Sequence, residues 1–455
     1  MNGGSDSAGG MRKQSRWEGI LFRSPLRPVP PWKEYTVESG ELSGPKVLVL
    51  SMMFPRPGFE GGNFVPEQVK ALRKSGVDAR VISGYRFWIV RSIDFGMALA
   101  LLLLPFAGYQ YFKTFRERQW MEIEGVPVMY VPYPLFWDYR NHANLFSRAI
   151  CKAAKAVFSN FRFDLIHAHS SFPDGVAAKR LSAELRIPYL LTEHLGRVDK
   201  LAKEKESGAE ISDVIKLASR IIAVSNAQKK KIEAIGGEDA ADRIAVIPNG
   251  VDCSIFNYSP SKRPDPAKPR FLFSGYFTRV KRVEVILAAF NIVRQNLPGA
   301  FLTLVGSGPP SEPEYEASLR RIVTEFGLGE SVRFLPRIKY SDRKRLAELI
   351  RNEVDIIVVA SEYESFCLAI AEGMAMGKPA VSTPCGGPVD IIENASMGDL
   401  SENDSAESLA KAMLRAARNL SGYDPAKIAA SAKDRFDYET VALKIKDIYG
   451  ELIQG

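Results

Sequence analysis

Short apolar runs rich in β-branched residues recur along this chain, and helical patterns lie between many of them. Residues 46–51, 78–82, 126–131, 165–167, 189–192, 220–224 and 244–247 make a first series, with amphipathic stretches such as 66–75, 145–158 and 175–185 in between. Runs of this kind read as strands buried on both faces, and their alternation with helices implies βαβ units and a parallel sheet. The composition then breaks at 260–269 (PSKRPDPAKP), a linker by its proline and charge. After it the pattern restarts at 271–274, 300–305, 332–335, 354–360 and 380–383. A chain of 455 residues exceeds what one core supports. The expected class is α/β, with two facing Rossmann-like doubly wound domains at 44–255 and 256–433 and a cleft between them. Residues 434–455 are amphipathic and expected to cross back to the first domain. Residues 1–43, Gly/Ser-rich and then Pro-rich, are expected to form a flexible tail.

Within this frame the stretch 361–377 (SEYESFCLAIAEGMAMG) carries two carboxylates, Glu364 and Glu372, eight residues apart. The apolar run before it and the helix-forming residues after it place Glu364 on the loop at a strand's carboxyl end. Glu372 falls in the first turns of the following helix, on the same mouth, where open α/β sheets bind ligands. A plainer account also serves: a solvated loop carboxylate, and a helix N-terminal Glu favoured by the macrodipole. A second loop tips the balance. After Gly275 the chain sets Arg279, Lys281 and Arg282 on a strand-to-helix turn, a place for phosphate, though a solvated basic loop would read the same. A nucleotide diphosphate satisfies both loops, phosphates meeting the cations and ribose hydroxyls meeting a carboxylate.

Charge and cysteine usage narrow the partners. The formal net charge of +8 suits an anionic ligand or an anionic membrane surface. Nucleic acid is not expected, because no zinc-finger spacing, RNP-type motif or long basic arm is present. Cys151, Cys253, Cys367 and Cys385 form no CxxC pair, so neither a zinc site nor a disulfide framework is indicated, and a cytoplasmic setting is the default. His167 and His169 share one face of a strand, but a metal would need a third ligand. His167 reads as a packing residue and His169 as an acceptor contact. Residues 95–112 form an uncharged apolar run with basic flanks, about the length that spans a bilayer but broken by Pro105. A span would part strands of one sheet, so peripheral membrane or hydrophobic-acceptor contact through 86–118 is preferred over a buried helix or a span.

From Lys46 to the C-terminus the chain resembles the retaining glycosyltransferases of family 4, with their two-domain GT-B fold. Glu364 and Glu372 match the family's E-x7-E pair, with GMAMGKPAVST behind it. Lys281, six residues after Gly275, falls where the family keeps its diphosphate-binding lysine. IPNGVDCSIF at 247–256 is similar to the inter-domain segment, and Gly61 and Gly62 to the glycine-rich first loop. The resemblance implies catalytic roles for His194, Glu364 and Lys281, with His194 near the donor sugar, Glu364 by the sugar hydroxyls and Glu372 on the ribose. The donor site it implies comprises Gly61, Gly62, Gly275, Arg279, Lys281, Arg282, Gly306, Glu364, Ser365, Phe366, Cys367, Leu368 and Glu372, with His169 toward the acceptor. The implied donor is a UDP- or GDP-sugar and the acceptor a glycan or a lipid-linked glycan, with no cofactor and no metal. Three positions depart from the pattern: Tyr276 stands where the family has Arg, and Arg282 and Cys367 where it has Gly. These leave open a catalytically silent nucleotide-sugar-binding or membrane-scaffolding protein, or an epimerase on the same fold.

Overall fold

The computed structural model of the chain describes residues 42–56, 64–88, 120–135, 142–260, 264–309 and 312–454. Gly61, Gly62, the apolar run 95–112 and the tail to residue 41 lie outside them. Among the described residues the strands form two sheets. The first has the order β3-β4-β2-β1-β5-β6-β7-β8: β1 (Lys46–Leu50), β2 (Asp78–Trp88), β3 (Met121–Ile123), β4 (Val126–Leu135), β5 (Leu165–His169), β6 (Tyr189–Glu193), β7 (Arg220–Ala223) and β8 (Ile244–Val246). All its pairings are parallel except β3 with β4, a hairpin whose turn residues Glu124 and Gly125 both take positive φ. Glycine at the second turn position takes that φ without steric cost.

The second sheet is parallel throughout, in the order β11-β10-β9-β12-β13-β14: β9 (Arg270–Ser274), β10 (Phe301–Val305), β11 (Val332–Leu335), β12 (Ile356–Val359), β13 (Ala380–Ser382) and β14 (Gly398–Leu400). The strand order reverses between β1 and β5 in the first sheet and between β9 and β12 in the second. Such switch points open a crevice at the strands' carboxyl ends. β12 is buried along its whole length, as its Ile-Ile-Val-Val sequence requires between two helical layers. The helix Leu368–Ala375 packs so closely on it that a Cβ on Gly373 would stand 2.3 Å from the Ile357 side chain.

The last helix, Tyr438–Gln454, belongs to the first sheet's core although it follows the second sheet. Val441, Ala442, Ile445, Ile448 and Tyr449 are buried together with Val47, Val65 and Leu72. Its entry is laced to the inter-domain segment: Val251 N–H donates to Phe436 O at 2.7 Å, and a Cβ on Gly250 would meet the Tyr438 ring at 2.1 Å. The glycine of the N-G turn therefore makes room for an aromatic ring. Among the described residues no helix is long and apolar enough to cross a membrane.

Candidate active site

Two loops converge at the switch point of the second sheet. One leaves β9 at Gly275 and ends in the 3-10 turn Arg279–Lys281; the other leaves β12 and carries Glu364. Lys281 Nζ donates to Glu364 Oε1 at 2.6 Å, and the Ser361 hydroxyl donates to the same oxygen at 2.7 Å. The Lys281 side chain is 30% exposed and that of Glu364 12%, so the pair is open along one edge. Burial works against the lysine's charge, but the Glu364 carboxylate more than offsets it and holds the ammonium above its ordinary range.

Glycines let these loops touch. Glu364 N–H donates to Cys385 O at 2.6 Å, and Gly387 N–H donates back to Glu364 O at 2.9 Å, forming a short parallel bridge with Gly386. A Cβ on Gly387 would lie 2.2 Å from Phe366 O, and one on Gly306 would lie 2.1 Å from Gly275 O. Cys367, ahead of the helix Leu368–Ala375, holds φ at 98°, and Arg282 holds φ at 48°. Both are left-handed, a conformation that costs a side chain about 1–2 kcal/mol. The two positions where the family resemblance implies glycine are thus positions whose backbone suits glycine.

The predicted site residues divide on inspection. Lys281, Ser361 and Glu364 meet. Arg282 does not join them: its Nη1 donates to Asp404 Oδ2 at 2.6 Å and its Nη2 to Asp404 O at 3.0 Å. Arg279 is exposed, with its guanidinium 5.7 Å from the Tyr315 ring. The cation actually brought to Tyr276 is Arg337, stacked over that ring at 4.5 Å from the loop after β11. No sequence signal pointed to it, because the pairing depends on β11 lying beyond β10 from β9. The Phe366 ring is committed to the core, edge-on to Phe436 at 5.4 Å, while Ser365 and Leu368 are half-buried beside it. Glu372 is also half-buried; burial pushes its carboxyl up to about 8, with Arg343 pulling the other way. Arg343 itself bridges the two halves of the molecule, donating to Glu67 Oε1 at 3.0 Å and Asp252 Oδ2 at 2.9 Å.

On the first sheet, β5 and β6 bring three histidines together. His169 Nδ1 lies 3.0 Å from His194 Nε2, with the ring planes 4° from parallel, and His167 stacks on His169 at 4.4 Å. His167 is taken up by Tyr449 OH and Thr192 Oγ1, both at 2.7 Å. Its packing partner thus comes from the far end of the chain, which no local pattern could show. Burial lowers the pKa of all three, that of His169 to about 3, so the array is neutral. Among the described residues the buried His169 Nε2 and His194 Nδ1 have no hydrogen-bond partner. Two buried carboxyls, missed in the sequence, set the loops around them. Asp174 accepts from Met52 N–H at 2.9 Å, and Glu193 from Ser171 and Leu195 N–H at 3.0 and 2.7 Å. Among the described residues no group of three His, Cys, Asp or Glu is arranged to hold a metal ion.

Two facing α/β domains with cleft-facing loops of this kind make a GT-B fold. Residues 62–255 match the family model described as Glycosyltransferase Family 4, and residues 255–433 that of Glycosyl transferases group 1. The chain belongs to this family. A D-inositol 3-phosphate glycosyltransferase of Paenarthrobacter aurescens is 28% identical over 313 residues, which are 65% of this chain and 74% of that one. The uncharacterized glycosyltransferase YqgM of Bacillus subtilis is 30% identical over 57% of this chain and 67% of its own. Among solved structures, Anabaena HepE in complex with UDP and glucose superposes with a TM-score of 0.63 at 20% identity, over 90% of this chain and all of that one, a likeness of fold.

Proposed function

We propose that this chain moves a hexose from a UDP- or GDP-sugar to a hydroxyl of a glycan or lipid-linked acceptor, with retained anomeric configuration and without a metal. The observation that carries this reading is the Lys281–Glu364–Ser361 cluster at the second sheet's switch point. Two further features support the donor class: HepE was solved with UDP and UDP-glucose, and several curated relatives are named as glycosyltransferases. The acceptor class, in surface polysaccharide, lipopolysaccharide or glycolipid synthesis at the cytoplasmic membrane face, rests on the apolar run 95–112 and its basic flanks.

In this reaction the bond from the anomeric carbon to the diphosphate oxygen breaks, and a bond to the acceptor oxygen forms on the same face. Negative charge grows on the leaving phosphate, where the Lys281 ammonium stabilises it. Glu364, released from Lys281, receives hydroxyls of the donor sugar. The neutral His169–His194 pair offers one free nitrogen lone pair and one N–H, complementary to sugar hydroxyls whichever ring donates to the other. The acceptor's proton passes to the departing phosphate oxygen, so no protein nucleophile is consumed. The test is nucleotide release from a panel of UDP-, GDP- and ADP-sugars with and without membrane lipid extract. Lys281→Ala should lower turnover by about 10²-fold. Undiminished turnover in that variant refutes the leaving-group role, and a product that is an isomerised donor with no acceptor consumed refutes transfer.

A further inference from the structure

The loop that follows His194 and the loop that precedes Glu364 touch across the cleft, and the contact is built on a bare glycine. A Cβ on Gly196 would stand 2.0 Å from Cε2 of Tyr363 and 2.5 Å from its hydroxyl oxygen, so the Tyr363 ring lies directly on the Gly196 backbone. Lys231 holds both sides at once: its Nζ donates to Gly196 O at 2.6 Å and sits 4.5 Å from the centroid of the Tyr363 ring. Gln228, on the same helix Asn226–Gly236, donates to Leu195 O at 2.9 Å and fixes the loop from behind. At the rim, Arg197 Nη2 donates to Glu362 Oε2 at 2.7 Å, with Lys200 on the other carboxylate oxygen at 3.4 Å. Glu362 N–H in turn donates to Val280 O at 2.7 Å, one residue before Lys281.

Resting on the transfer reaction proposed above, we propose that Tyr363 is a positioning residue: docked on Gly196 beneath Lys231, it closes the cleft and brings His194 onto the sugar held at Lys281 and Glu364. Tyr363 lies one residue from Glu364 and Gly196 two residues from His194, so the contact transmits position between the two loops with little slack. An aromatic ring under an ammonium is a modest electrostatic attraction. That is enough to bias closure yet small enough to reopen for product release. Misplacing reacting groups by about 1 Å costs on the order of 10²-fold in rate, while binding of the nucleotide to its own domain is untouched.

The experiment compares wild type with Tyr363→Ala, Gly196→Ala and Tyr363→Phe. UDP affinity is read by calorimetry, kcat and KM by nucleotide release, and the free protein's radius of gyration by X-ray scattering. Tyr363→Ala and Gly196→Ala approach the contact from opposite domains. Both should lose about 10²-fold in kcat with UDP affinity within about twofold of wild type, and both should have a larger radius. Tyr363→Phe keeps the ring and should match wild type. The proposal is overturned if either Ala variant keeps wild-type kcat and radius, if UDP affinity falls in step with kcat, or if Phe is as damaging as Ala. Should wild type bind UDP yet release none from any donor, the transfer reading fails on its own, and the scattering comparison still decides for or against the contact.

Discussion

Glu372 offers a titration that can be isolated from the rest of the molecule. Its carboxyl, on the helix behind Lys281 and Glu364, is pushed by burial from an ordinary value of 4.5 up to about 8, with Arg343 pulling it down. Between those two values the folded chain holds a proton that the unfolded chain has released, so stability falls as pH rises through the window. The contribution is complete below pH 4.5 and gone above about pH 8. At about 1.4 kcal/mol per pH unit the full shift amounts to about 5 kcal/mol, and water reaching a half-buried group brings the expected loss to about 2–5 kcal/mol. Glu372→Gln keeps the shape and cannot ionise, so it removes this dependence. Thermal unfolding of both proteins from pH 5 to pH 9 measures it. Buried Asp174 and Glu193 are raised in the same direction, but they are common to both proteins and cancel in the difference. The variant's Tm should gain on wild type by about 5–15 °C between the ends of the range. Curves that stay parallel to within about 1 °C would refute the argument that burial controls this group.

Two shorter predictions follow from the backbone. In Arg282→Gly, relief of a left-handed φ, about 1–2 kcal/mol, opposes the lost Asp404 contact and the added chain entropy, about 1 kcal/mol or less each. Stability should hold within about 1 kcal/mol, and UDP affinity within about twofold because the guanidinium faces Asp404. A tenfold loss of affinity would mean that it turns to the ligand. Gly387→Ala places a methyl against Phe366 O, which backbone movement alone can relieve. A loss of about 1–3 kcal/mol is expected, and an unchanged denaturation midpoint would contradict the packing described.

The rhythm of apolar runs determined the architecture by itself. A strand such as β12 is apolar wherever it sits in a parallel sheet, so its identity and the restart of the series after residue 260 were written locally. The E-x7-E spacing and the basic loop after Gly275 were local too, each lying within one strand–loop–helix unit. The family resemblance implied what those loops bind, and the fold and family follow from the same segments. What the sequence could not decide is which side chains meet across such units. Arg282, close to Lys281 in sequence, turns to Asp404, while Arg337 reaches Tyr276 from a different strand. Tyr449 reaches His167 across 282 positions, and Arg343 reaches Glu67 across 276. Strand order, domain packing and the return of the last helix decide these contacts. They depend on distances in space between residues whose local environments carry no record of one another.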